Sequence, residues 1–162
     1  MRLPIALIAV GTALGQQPRK YDGPRPPKPD LVYLLHARNL VPAEEGEAKE
    51  EDRKEETANI VAGAASPART PLAEPIFLFN SEKIPAEKLE LYRMTVKSGQ
   101  REVAVPKNAK KAKNRPRPLR LLYTRLDGSL YRIEVNEGMG LEMGEYCLSP
   151  QESQKVFCFQ VY

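Results

Sequence analysis

The sequence has no tryptophan, one histidine, two cysteines and four phenylalanines in 162 residues, and each scarcity removes a class of chemistry. A lone His36 excludes a His-rich metal site and any mechanism that needs two imidazoles; it is expected to be an ordinary half-buried strand residue. Two cysteines without a CxxC spacing cannot build a zinc knuckle. GxSxG, a Walker loop, HExxH and GxGxxG are all missing. GMGLEMG at 138–144 has the glycines of a phosphate cradle but sits between two strand-like stretches, so a flexible inter-hairpin loop is expected there. No metal and no cofactor follow from these residues, and no catalytic residue is expected. What remains for an enzyme is a carboxylate pair, and Glu134, Glu137, Glu142 and Glu145 lie close in sequence. Outward-facing strand positions carry the same pattern, so a hydrolase built on surface carboxylates is the least favoured of the functions considered.

Apolar runs are short as well. LPIALIAVGTAL, from Leu3 to Leu14, falls short of the roughly twenty residues of a transmembrane helix. Behind the basic Met1-Arg2 start and before the small Ala13 and Gly15, it predicts a secretory signal peptide over 1–15. No cysteine follows for lipid anchoring. Cys147 and Cys158, placed by secretion in an oxidising compartment, are then expected to form a disulfide. The protein is accordingly expected to be secreted or periplasmic.

The formal net charge of +4 is too small to name a partner; its distribution matters more. PAEEGEAKEEDRKEE at 42–56 holds eight acids and three bases. Glu45–Lys49 and Glu50–Lys54 would suit a solvated helix, but no apolar stripe would pin it, so a mobile acidic loop or frayed helix is expected over 42–56. KNAKKAKNRPRPLR at 107–120 holds seven bases and no acid. As a connecting loop over 106–118 it is a candidate anion site through Lys107, Lys110, Lys111, Lys113, Arg115, Arg117 and Arg120, with contacts that would weaken in salt. It has no aromatic residue for base stacking, so sequence-specific nucleic-acid reading is not expected. The alternatives are a solvated connector and a loop docked on the acidic segment.

Fifteen prolines and ten glycines point to turns rather than long helices. QQPRKYDGPRPPKPD at 16–30 reads as a Pro-rich extended tail or linker. DLVYLLHARNLV, TANIVAG and IFLFN read as strands, and SPARTPLAEP as a loop. Three hairpins follow from turn residues and alternation together. A turn at Ser98-Gly99 opposes Val96 to Arg101, Met94 to Val103 and Tyr92 to Val105, with Thr95–Glu102 and Arg93–Ala104 on the other face. A turn at Asp127-Gly128 pairs Leu122 with Ile133 and Thr124 with Tyr131. A turn at Glu152-Ser153 sets Leu148 opposite Phe157 and Tyr146 opposite Phe159, and places Cys147 directly across from Cys158 on a more polar face. Turn and cysteines select the same register independently.

KPDLVYLLHARNLVPAEEGEAKEE, SPARTPLAEPIFLF and EKIPAEKLELYRMTVKSGQREV carry a resemblance over 29–103 to secreted bacterial proteins without an assigned activity. The resemblance implies secretion and transfers no site residue. The expected molecule is all-β over 31–162, an antiparallel sandwich or partly open barrel built from hairpins. Its expected role is a non-enzymatic binding or interaction module at the cell envelope, with an envelope protein as partner. The alternative is a polyanion binder recognising an acidic polysaccharide, lipopolysaccharide or anionic lipid.

Overall fold

The computed structural model describes residues 20–108, 113 and 115–162; the expected signal peptide, the first part of the tail, Lys110 and Lys111 lie outside them. Among the described residues, thirteen strands form two sheets. In chain order they are β1 (Val32–His36), β2 (Asn39–Pro42), β3 (Glu44–Glu47), β4 (Lys49–Asp52), β5 (Glu56–Val61), β6 (Arg69–Thr70), β7 (Ile76–Asn80), β8 (Leu89–Lys97), β9 (Gln100–Pro106), β10 (Leu121–Asp127), β11 (Leu130–Val135), β12 (Gly144–Pro150) and β13 (Lys155–Val161). The smaller sheet runs β10-β11-β7-β1-β2. The larger runs β3-β13-β12-β8-β9-β5-β4, with β6 added in parallel beside β13. All other pairings are antiparallel. The fold is all-β, as the residues predict, and the larger sheet is curled into a half-barrel.

The larger sheet's two end strands, β3 and β4, are consecutive in the chain with only Ala48 between them. The sheet therefore returns on itself through one acidic segment, pairing with β13 on one side of Ala48 and with β5 on the other. The Ala48 N–H donates to Gln154 O at 2.7 Å across that corner. This corrects the expected acidic loop or helix over 42–56. Helical charge pairs are worth only about 0.2–0.5 kcal/mol each, whereas two waiting strand edges offer a full ladder of backbone hydrogen bonds.

Strands β12 and β13 are buried on both faces. One face, with Tyr146, Leu148, Phe157, Phe159 and Val161, packs on Val32, Leu34, Phe77, Phe79, Tyr131 and Ile133 of the smaller sheet, forming the main core. Phe77–Phe159 and Phe79–Phe157 meet edge-on at 5.1 and 6.5 Å, and Tyr146 stacks on Phe159 at 5.7 Å; each such pair adds about 0.5–1.5 kcal/mol beyond area burial. The other face is the interior of the curl, where Val61, Met94, Cys147, Val156 and Cys158 form a second, smaller core.

The third hairpin has the expected register, with Cys147 opposite Cys158 and the disulfide formed. Its expected polar face is not polar in place: both half-cystines are buried inside the curl. The first hairpin holds its register at Thr95–Glu102, Val96–Arg101 and Lys97–Gln100, with Ser98 and Gly99 both at positive φ, as a type I′ turn requires. Beyond those pairs the expected ladder fails. Leu89–Met94 pair with β12 and Arg101–Pro106 with β5 on the outer edges of the two strands, while on its other edge β8 bridges Leu91 to Leu119, so Tyr92 and Val105 do not pair. The second hairpin is slipped by one residue: Tyr123 opposes Ile133 and Leu122 opposes Glu134, because the ladder is irregular between Arg125 and Asp127. A one-residue slip exchanges the faces. Leu122 is thus exposed, while Tyr123 turns inward and donates its hydroxyl to Leu89 O at 2.5 Å.

Two expected loose segments are pinned. In the tail, Arg25 pairs with Asp127 at 2.5 Å, and the Asp30 carboxylate accepts backbone N–H groups of Glu82, Lys83 and Ile84 at 3.0 Å. In GMGLEMG, Leu141 is buried and its N–H donates to Ala73 O at 2.6 Å. Gly140 there has φ +73°, and a Cβ would meet Ala73 O at 2.9 Å, so the close approach demands glycine.

Candidate functional site: the interior of the curled sheet

Side chains alternate across a strand, so the pairing register alone decides which residues share the interior. Glu44, Cys158, Cys147 and Tyr92 lie in one row across β3, β13, β12 and β8. Glu145 sits beside Met94. Arg101 sits beside Val61, and Val103 is beside Asn59, itself opposite Glu50. The row from Glu44 to Tyr92 therefore crosses a space that is ionic at one end and apolar in the middle.

The ionic end is sealed. Arg101 is fully buried. Its guanidinium donates to both Glu44 carboxylate oxygens, at 2.7 and 3.0 Å, and to Gly63 O and Ala62 O at 2.9 and 2.6 Å. Glu145 Oε2 lies 3.8 Å from Arg101 Nη1 and accepts the Ser66 N–H at 3.0 Å, while its Oε1 is buried with no hydrogen-bond partner among the described residues. Burial pushes the Glu145 carboxyl above its ordinary range, against the pull of Ser66 and Arg101. For Glu44 burial also acts upward, but the hydrogen bonds from Arg101 and Ser66 outweigh it and hold the group low. One cation between two carboxylates makes one of them the less well served, and that one is Glu145.

The other end is open. Where β8 and β9 part, a cavity of about 420 Å³ is lined by Val61, Met94, Val103, Val105, Val156 and Cys147, together with the half-buried Tyr92 and Asn59. Its rim comes from Glu50 on β4, from the β12–β13 turn at Gln151, Glu152, Ser153 and Gln154, and from Pro116 of the basic loop. Glu50 and the 151–154 turn are exposed, so the cavity communicates with solvent there. Tyr92 donates its hydroxyl to Glu90 at 2.7 Å, and Gln151 donates to the same carboxylate at 3.0 Å. Burial and the Glu90 carboxylate together push the Tyr92 phenol up to about 12.

Of the predicted anion-site residues, Lys110 and Lys111 lie outside the described residues. Lys107 pairs with Asp52 of β4, and Arg120 lies 3.7 Å from Glu137, which also accepts the Arg120 N–H. Lys113, Arg115 and Arg117 are exposed. The Lys107–Asp52 pair is one contact between the basic loop and the acidic segment. The four clustered glutamates are dispersed: Glu134 pairs with Arg132, Glu137 with Arg120, Glu142 with Arg93, and Glu145 is inside the curl. None of the four lines the cavity. His36 is half-buried in β1, as expected.

Arg101 and Glu44 were not anticipated as partners. The available signal was Arg101 standing opposite Val96 in an otherwise apolar stripe of the first hairpin. The parting of β8 and β9 has no such signal, because on that edge β8 bridges Leu91 to Leu119, which lies beyond the hairpin. Among the described residues no helix is long and apolar enough to cross a membrane, and no group of His, Cys, Asp or Glu is placed to hold a metal. The fold and cavity define a small antiparallel β protein with a ligand-sized interior. Compared with known protein families, curated proteins and solved structures, the chain matches none.

Proposed function

We propose that this protein is a non-enzymatic binding module of the cell envelope that receives its ligand in the open end of the curled sheet. The observation that carries this reading is the cavity: about 420 Å³, apolar at depth and polar at the rim. Ligand sites typically occupy about 300–1,000 Å³ and combine an apolar lining with a few polar groups. An extracytoplasmic setting is supported by the Cys147–Cys158 disulfide, since such bonds persist in oxidising compartments.

The test uses the oxidised full chain and a neutral solvatochromic dye such as Nile red. Binding with a blue shift is expected, and Val103→Trp, which fills the cavity, is expected to abolish it. Unchanged binding in that variant would move the ligand elsewhere.

A second reading, polyanion binding, is favoured by Lys113, Arg115 and Arg117, which are exposed and carry no ion pair among the described residues. It predicts late elution from a sulfated polysaccharide column, falling steeply with salt. That retention would be lost when Lys107, Lys110, Lys111 and Lys113 are changed to Gln. Equal early elution of both forms would leave the loop a connector.

A further inference from the structure

Resting on the cavity reading above, we infer that the ligand is an organic cation: an apolar stem lying in the sheet interior and an ammonium-type head at the rim. Among the described residues, every charged one that lines the cavity is a carboxylate: Glu50, Glu90 and Glu152. Glu90 is already engaged by Tyr92 and Gln151. Neither the Glu50 nor the Glu152 side chain has a hydrogen bond or ion pair among the described residues, unlike Glu51 and Asp52 of β4, which are paired with Arg53 and Lys107. Arg115 and Arg117 flank Pro116 but lie outside the lining. An anionic head would meet three carboxylates there; a cation meets two without a side-chain partner among the described residues, in a cavity also lined by the Tyr92 ring, whose face suits a cation.

The depth of the cavity selects the stem. Val61, Val103, Val105 and Val156 surround the disulfide, and in the described residues nothing in that inner part offers a charge to a buried head group. Burying a charge unpaired is costly, so the head stays at the rim and the apolar part enters. A free alkylamine and a lysine side chain presented by a peptide share this chemistry.

The experiment is calorimetric titration of the oxidised full chain with octylammonium, octanoate and octanol, and with a short capped peptide carrying one lysine between apolar residues. Octylammonium is expected to bind at least about tenfold more tightly than octanoate. Glu50→Gln/Glu152→Gln is expected to remove that preference, since exposed carboxylates each contribute a few-fold. Both residues are exposed, so the double variant folds. Tighter binding of the peptide would assign the cation to a protein partner, and weaker binding to a small molecule; the class stands in both cases. Equal binding of the three octyl compounds, or a preference for octanoate, would overturn the cation and leave the cavity reading intact. Octylammonium binding that survives Val103→Trp and Val105→Trp would place the cation on the surface and overturn the inference. Absence of binding by all compounds and by Nile red would overturn both readings.

Discussion

The two ends of the curled sheet are lined by the same strands, yet one is shut and the other open. At the shut end Arg101 reaches across from β9 to Glu44 on β3, with Glu145 of β12 close by, and spends its remaining donors on the carbonyls of Ala62 and Gly63. At the open end the facing residues are valines, a tyrosine and carboxylates at the rim, and β8 and β9 have parted. An apolar wall cannot bridge a gap that two strands have vacated, whereas a long guanidinium can. The difference teaches that in a small curled sheet a buried ion cluster can act as the closure and leave the opposite end for a ligand.

The sharpest way to break this comparison is to remove the closure. Arg101→Met leaves two carboxylates without their cation, and truncating one side of a buried ionic group costs about 3–5 kcal/mol; urea unfolding of the oxidised protein reads it directly. Adding Glu44→Gln and Glu145→Gln to that variant is expected to restore most of the loss. If it does not, the cluster is not the closure.

Next in size is the disulfide between the two ends. Cys147→Ala/Cys158→Ala opens a loop of sequence separation 11, for which about 3 kcal/mol is expected, read as a lower denaturation midpoint.

The pH profile separates the two carboxylates at the shut end. Glu145 is raised above its ordinary value of 4.5. Its contribution is therefore present below that value and lost as pH climbs through the raised one. Glu44 and Glu102 are held low, so theirs are present above 4.5 and lost as pH falls through the depressed values. Glu145→Gln is expected to flatten the alkaline-side fall in the urea midpoint and to leave the acid-side fall in place. An unchanged alkaline limb would mean that Glu145 is ionised at no cost.

The smallest effect belongs to the open end. Glu50→Gln/Glu152→Gln should alter stability by no more than about 0.5 kcal/mol, as for exposed positions generally, even if ligand binding changes. A larger loss would show that the rim is structural and that the two ends differ less than their burial suggests.

How much of this was legible depended on whether local signals agreed. In the third hairpin the turn and the cysteine pair chose one register, and the ladder follows it residue by residue. In the second, Asp127-Gly128 announced a turn but not the irregularity before it, and the faces of Leu122 and Tyr123 exchanged. In the first, Ser98-Gly99 set the pairs beside the turn, while further along β8 the edge facing β9 bridges Leu91 to Leu119 instead. Glu44 to Asp52 looked solvated because charge dominates it. It forms two strands, β3 and β4, because it lies where two edges need partners.

Alternation, turn residues and paired cysteines, all short-range properties, thus determined by themselves that this is an antiparallel β protein with a terminal disulfide hairpin. Which strands became neighbours, where Arg101 found its carboxylates and why a cavity opened beside Tyr92 were decided only by the tertiary structure. Edge satisfaction and burial are long-range, and no window of sequence contains both partners.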